Sequence, residues 1–146
     1  MKRKKEGDLV IMGQMLGNTT RRFNLFDGKF TTGYRVTRLV LENRSPTDAP
    51  EATCKLLTQS KSFSSLWQWN DPEEVAWAGF GAPTTNSAEK FYVRPDNMVI
   101  EDLYLQIYSS LDGRTFNFMI ELEKYEFDSW DGAMTMVRNQ SQSGPA

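Results

Sequence analysis

The chain of 146 residues contains no histidine and a single cysteine, Cys54. The absence of histidine excludes Ser–His and Cys–His nucleophiles, histidine acid–base catalysis, and most zinc and haem sites. A lone cysteine permits no internal disulfide, which fits a reducing compartment or a particle assembled in one. No apolar run reaches the roughly 18 residues that a transmembrane helix needs. Together these absences predict a protein that is not an enzyme and has no cofactor.

Acidic residues offer little more chemistry. Pairs of carboxylates occur at Glu73-Glu74 and Glu101-Asp102. A glycosidase needs two carboxylates roughly 5–10 Å apart across a cleft, and nothing in these spacings selects such a pair. Cys54 begins an apolar stretch and, without histidine, is best interpreted as a small core residue.

The charge is distributed unevenly. The net charge is −2, yet "MKRKK" places four cations in the first five residues, namely Lys2, Arg3, Lys4 and Lys5. We expect residues 1–7 to be a disordered basic arm, residues 8–139 a single domain and residues 140–146 a disordered tail. The arm is either a solubilising tail or a mobile contact to nucleic acid or an acidic partner surface. It is not followed by the apolar core of a signal peptide, so no secretion is predicted.

Short alternating apolar stretches at close spacing fill the domain, separated by turns rich in Gly, Pro and Asn. This pattern predicts an all-β fold, an antiparallel β-sandwich of roughly eight or nine strands for which a jelly roll is one arrangement. The predicted strands cover 8–16, 34–43, 54–60, 66–69, 74–80 and 90–95, with two hairpins. Trp130, Ala133, Met134 and Val137 share one face of a short predicted C-terminal helix.

The two hairpins are predicted at Asp-Gly pairs, which favour the positive φ of a type I′ turn. A turn at Asp112-Gly113 pairs residues 98–109 with 115–123. It places six apolar side chains on one face, Leu103, Leu105, Ile107, Phe118, Ile120 and Leu122, and leaves Gln106 on the exposed face. Glu101 then faces Lys124, and a later change of phase predicts a β-bulge near Glu123-Lys124. A smaller hairpin turns at Asp27-Gly28, with Leu25 opposite Phe30.

Three of the four tryptophans, Trp67, Trp69 and Trp77, lie within "SLWQWNDPEEVAW". In a strand, Trp67 and Trp69 leave the same face, and a tight turn brings Trp77 near them. On a solvent-facing sheet such a cluster can stack on sugar rings. In the interior, or at a subunit contact, the same cluster contributes a large buried apolar surface. We expect Trp67 and Trp77 to be shielded by the core or by a subunit contact, because tryptophan is highly buried on average.

A basic arm, a histidine-free body of short strands and long loops, and the segment "VIEDLYLQIYSSLDGRTFNFMIELEKYEF" resemble small viral jelly-roll coat and virion-decoration proteins. The resemblance concerns architecture and no diagnostic motif. It implies a capsid, minor capsid or decoration protein that forms homo-oligomers and contacts other virion proteins, in a virion assembled in the host cytoplasm. The alternative is a carbohydrate-binding, lectin-like or receptor-binding sandwich module that uses Trp67, Trp69 and Trp77.

Overall fold

The computed structural model describes residues 3–26, 28, 31–45, 50–81 and 90–127. Within these ranges the chain forms β-strands and no helix, so no described helix could cross a membrane. The strands are β1 (Arg3–Leu16), β2 (Thr19–Asn24), β3 (Thr32–Asn43), β4 (Ala52–Leu57), β5 (Glu74–Phe80), β6 (Lys90–Val93), β7 (Asp102–Ser109) and β8 (Thr115–Phe127). The predicted C-terminal helix and tail lie outside the described residues.

The strands form two sheets, one with the order β1-β8-β3 and one with the order β2-β7-β4-β5-β6. Every ladder is antiparallel. One apolar cluster draws buried side chains from both sheets. Its largest fully buried members include Leu39, Leu41, Leu56, Leu103, Leu105, Ile107, Phe116 and Ile120. The predicted all-β antiparallel sandwich is therefore confirmed.

The pairings are nested along the chain. β1 pairs with β8, β2 with β7, and β4 with β5, as if one long hairpin had been rolled into two sheets. Complete nesting would pair β3 with β6. Instead, β3 forms a single β-bridge with the chain after β6, where Tyr34 and Val99 exchange backbone hydrogen bonds of 2.7 and 2.8 Å. This nesting is the topology of a jelly roll, with β6 itself attached to the edge of the five-stranded sheet.

The hairpin predicted at Asp112-Gly113 is wrong in its pairing. β7 lies between β2 and β4, whereas β8 lies between β1 and β3 in the opposite sheet. The turn, with φ of +74° at Gly113, therefore joins the two sheets. The six apolar side chains are nonetheless buried as expected. An alternating pattern only requires that both strands turn one face to the core, and it is the same for neighbours in a sheet and for strands facing across the core.

The hairpin predicted at Asp27-Gly28 and the predicted pairing of Glu101 with Lys124 are also wrong. β2 and β3 also lie in different sheets, and Phe30 is outside the described residues. Glu101 cannot face Lys124 across a ladder, because Lys124 pairs with Gly7 and Tyr34.

The predicted change of phase in β8 is present, but the extra residues belong to its neighbours. The register shifts between Lys5 and Gly7 in β1 and between Val36 and Arg38 in β3. β8 itself contributes its even-numbered side chains to the main core up to Leu122. Phe127 joins a separate buried cluster with Met98 and Ile100.

Residues 66–69 are not a strand. They belong to a covering segment, residues 58–73, which contains no strand and lies on the outer face of the five-stranded sheet. This location also overturns the expected exposure of Gln106, which is buried beneath the covering segment.

Candidate functional site

The tryptophans form an aromatic face on the outside of the five-stranded sheet. Trp77 belongs to β5 and alternates with core residues, so its side chain points away from the other sheet. Trp69 of the covering segment packs on Trp77 with ring centroids 5.7 Å apart. Tyr92 of β6 lies edge-to-face with both Trp69, at 5.3 Å, and Trp67, at 6.3 Å. We call Trp67, Trp69, Trp77 and Tyr92 the aromatic face.

The tryptophans differ in their exposure. Trp77 is 4% exposed, Trp67 is half-buried, and Trp69 is 55% exposed. Trp77 is shielded as expected, but by the covering segment and not by the inter-sheet core. Tyr92 is 44% exposed. An aromatic surface therefore remains open to solvent at Trp69 and Tyr92, with Trp67 beside it.

A buried ion pair fixes the covering segment in place. The Lys55 ammonium of β4 lies 3.3 Å from the carboxylate of Glu74 in β5 and donates a 2.6 Å hydrogen bond to the Leu66 carbonyl. The other Glu74 oxygen accepts hydrogen bonds of 2.8 Å from the Gln68 backbone N–H and from the Trp77 indole. Buried charges are tolerated when they are paired and hydrogen-bonded, as these are.

A buried amide holds the beginning of the same segment. The Gln106 side chain of β7 donates to the carbonyls of Lys61 and Ser62 at 3.0 and 3.3 Å, and accepts a 3.4 Å hydrogen bond from the Ser64 backbone N–H. The buried amide thereby finds partners for its own donor and acceptor groups and ties the beginning of the covering segment to β7. The outer face of the sheet and the covering segment thus form one fixed surface.

Arg94, which follows β6, secures the far end. Its guanidinium donates to the backbone carbonyls of Glu74, Trp69 and Asp71 at 2.9 to 3.1 Å. It also lies over the Trp77 ring, 5.5 Å from the centroid. Backbone and cation–π contacts together set the position of Trp69 relative to Trp77.

A groove of about 260 Å³ opens beside Trp67. Gly79 forms its floor between Thr53 of β4 and Lys90 of β6, its partners in register. A Cβ at Gly79 would lie 2.9 Å from both the Ala52 carbonyl and the Thr53 methyl, so only glycine fits here. The lining residues are Glu51, Thr53, Ser65, Trp67, Gly79, Phe80, Gly81 and Lys90. We call this cavity the Trp67 groove.

The carboxylate pairs do not form a catalytic arrangement within the described residues. Glu74 is committed to three donors, and Glu73 pairs with Lys61 at 2.8 Å. Asp102 pairs with Arg22 at 3.0 Å. Among the described residues, no three His, Cys, Asp or Glu side chains are grouped to hold a metal ion. Cys54 is buried, and its burial raises the pKa of the thiol, which opposes formation of a nucleophilic thiolate.

The predicted basic arm differs in the structure. β1 begins at Arg3, so residues 3–5 and Gly7 are paired with β8, with a bulge at Glu6, and are not a free arm. Lys5 forms ion pairs of 3.0 Å with Asp8 and with Glu123. These hydrogen bonds, Glu123 first, raise the pKa of Lys5. Lys4 is exposed, while Lys2 lies outside the described residues. Pairing with the acidic end of β8 accounts for the inclusion of these basic residues in a strand.

The polar residues that build this surface are not among the site residues predicted from the sequence. Lys55 and Gln106 each lie in an apolar strand with buried neighbours on both sides. A polar residue inside a central strand signals that the outer face is covered, because such a residue needs hydrogen-bond partners there. Tyr92 and Arg94 carried no comparable signal, since their contacts come from residues distant in sequence.

The comparisons with known proteins add little. No family model matches the chain, and no curated protein matches it. One similar solved structure is dimeric latent PorU from Porphyromonas gingivalis, with 16% sequence identity and a TM-score of 0.33. The match covers 83% of this chain and only 13% of the PorU chain. A similarity at this level carries no argument about function.

Proposed function

We propose that the chain is a non-enzymatic structural subunit that self-assembles through its β-sandwich, with the open edge of β1 pairing with β1 of a second copy. The observation that carries this proposal is the edge itself. β1 has fourteen residues, and among the described strands its only neighbour in the sheet is β8. An open edge of this length offers unpaired backbone donors and acceptors to another strand.

The part of the edge from Leu9 to Leu16 lacks the usual protection against pairing. It contains no charged residue and no proline, whereas the earlier part carries charges and a bulge at Glu6. Natural edge strands are usually blunted by such charges, bulges or coverings. The unprotected stretch is therefore suited to a specific strand partner.

The other edges in the described part of the chain are protected. β2 carries Arg21 and Arg22, and β6 has four residues. The edge of β3 is covered by Asn97, whose side-chain amide exchanges hydrogen bonds of 2.7 and 2.9 Å with the backbone of Val36. The Val99 bridge extends this cover. The contrast with β1 favours pairing at β1.

The outer face of the three-stranded sheet adds an apolar surface next to this edge. Met12, Met119 and Val40 lie side by side across the three strands. Met12 is 72% exposed, and Val10 on the same face is half exposed. Pairing of two β1 edges would join two such surfaces into one continuous apolar strip, of the kind that marks interaction sites.

A two-fold antiparallel pairing fits this arrangement. Opposed residues in an antiparallel ladder point to the same face, so the two-fold axis must pass through a residue position. With Ile11 opposite its own copy, Val10 faces Met12 of the second copy. The apolar residues of both outer faces then meet, and no like charges oppose each other between Leu9 and Gly13.

We propose further that the assembly is a virion particle, in which the chain serves as a capsid, minor capsid or decoration protein. What supports this finer role is the jelly-roll nesting of the strands, an argument by analogy of fold. A homo-oligomeric particle would use the β1 edge as one of its subunit contacts.

The native mass at micromolar concentration tests the proposal, with sedimentation for mass and negative-stain images for shape. We expect a dimer or larger species for the wild type and a folded monomer for Met12→Lys, because a lysine on an edge opposes strand pairing. Leu66→Lys is the matched control, since Leu66 is 62% exposed on the opposite sheet; it should keep the wild-type mass.

The two levels of the proposal fail separately. A wild type that stays monomeric at high concentration, or an oligomer untouched by Met12→Lys, contradicts pairing through β1. Closed shells or rings support the particle role. A dimer that forms no larger assembly by itself and does not bind to isolated virion shells contradicts it.

A further inference from the structure

We propose that the Trp67 groove binds a neutral pyranose sugar. This site goes beyond the assembly role, because it lies on the outer face of the five-stranded sheet, away from the β1 edge. The groove is smaller than the roughly 300–1,000 Å³ of pockets that hold drug-sized ligands. Its size therefore suits a single small ring.

The polar groups of the groove are free to bind. Within the described part of the chain, the side chains of Glu51, Thr53, Ser65 and Lys90 form no hydrogen bond or ion pair with another described residue. Together they present a carboxylate acceptor, two hydroxyls that both donate and accept, and an ammonium donor. Sugar hydroxyls, which also donate and accept, can satisfy all of these groups.

The walls supply the apolar half of the recognition. A pyranose ring has faces of C–H groups, which pack on the negative face of an aromatic ring. Trp67 lines the groove, and Tyr92 and Trp69 continue the aromatic surface beyond it. A second sugar ring of an oligosaccharide would extend over Trp69, the most exposed of the tryptophans.

The charges and the rigidity of the site select this ligand class. Glu51 and Lys90 balance each other, so the groove does not favour a phosphate or another anion as a basic cleft would. The covering segment that carries Ser65 and Trp67 is fixed by Glu74, Lys55 and Gln106 (above). A site held in this way loses little conformational freedom on binding.

Saturation-transfer difference NMR on the intact chain tests the proposal. The probes are the methyl glycosides of glucose, galactose, mannose and N-acetylglucosamine, with N-acetylneuraminic acid as an anionic sugar and myo-inositol as a ring polyol that is not a pyranose. We expect transfer to the ring C–H protons of at least one neutral glycoside, and none to myo-inositol.

Three variants assign the signal to the groove. Trp67→Ala should weaken binding about fivefold or more, in line with the loss of one aromatic stacking contact. Thr53→Val removes only a hydroxyl, preserves the shape, and should weaken binding without changing the melting temperature. Phe91→Ala is the control, because Phe91 is an exposed aromatic in β6 whose position alternates with Tyr92; it should bind as the wild type does.

Several results would overturn the proposal. They are the absence of transfer to every neutral glycoside at tens of millimolar, binding of N-acetylneuraminic acid alone, or equal losses in Phe91→Ala and Thr53→Val. Acrylamide quenching of Trp67 in the assembled protein gives an independent check. If Trp67 is shielded in the oligomer and quenched after dilution, the groove is a subunit contact and not a sugar site.

Discussion

Removal of the Glu74 carboxylate is expected to destabilise the fold more than any other single change on its outer surface. Glu74→Ala eliminates the ion pair with Lys55 and the hydrogen bonds from Gln68 and Trp77. It leaves the Lys55 ammonium, 4% exposed, with only the Leu66 carbonyl. Breaking a buried pair from one side costs about 3–5 kcal/mol, because an uncompensated charge stays buried. That is a large share of a typical stability of roughly 5–15 kcal/mol.

Urea unfolding, followed by far-UV circular dichroism and by tryptophan fluorescence, measures this cost. The covering segment carries Trp67 and Trp69, so its release in Glu74→Ala should shift the fluorescence to the red before the sheets unfold. The double variant Lys55→Met/Glu74→Gln should be more stable than Glu74→Ala, since no charge is then left buried.

Glu73→Ala is the matched control, because the adjacent Glu73 forms a partly exposed pair with Lys61. Such a pair is worth under about 1 kcal/mol. A cost below about 1 kcal/mol for Glu74→Ala, or equal costs for the two variants, would refute the assignment of Glu74 as the anchor of the covering segment.

Three further predictions follow from buried or paired groups. Leu105→Ala should cost about 2–5 kcal/mol by urea unfolding. Gln106→Ala should cost about 1–3 kcal/mol, because it removes a buried amide and its hydrogen bonds to the covering segment; a Gln106 cost under about 0.5 kcal/mol would mean that its face is exposed after all. Hydrogen bonds, first from Lys5 and then from Tyr125, lower the pKa of Glu123. The stabilisation that the Glu123 carboxylate contributes is complete above the unfolded pKa of about 4.3 and is lost as the pH falls through the lower pKa of the folded state. Glu123→Gln should therefore flatten the decline of the melting temperature below about pH 5. A variant whose melting temperature declines with falling pH as that of the wild type does contradicts this. The Cys54 thiol should react with a disulfide reagent at pH 8 only at the rate at which the fold opens, and urea should accelerate it; a rate like that of a free thiol would show that it is accessible.

The fold class and the buried faces of the long strands follow from the alternation of apolar residues alone. Alternation with a period of two residues places Leu103, Leu105 and Ile107 on the core side of one strand, and Phe118 and Ile120 on that of another, without reference to any partner. β5 was predicted with its observed bounds, since a glycine-containing apolar run between a Pro turn and a loop leaves little choice.

Which strands are neighbours in a sheet depends on tertiary contacts that the alternation pattern does not specify. Burial of one face is the same physical requirement whether the facing strand lies beside it or across the core, so the pattern at Asp112-Gly113 fits a hairpin and a sheet-to-sheet turn equally. The extension of β1 back to Arg3 likewise depends on a partner strand, because Lys5 is held by Glu123, which is far away in sequence.

The candidate site was visible in part. The tryptophan cluster was evident in the sequence, but its position on an outer face, its exposure and its contact with Tyr92 depend on a segment without regular structure. Such a segment has no periodicity to interpret. It is fixed by side chains from three different strands, Gln106, Lys55 and Glu74, which lie side by side only once the sheet has formed.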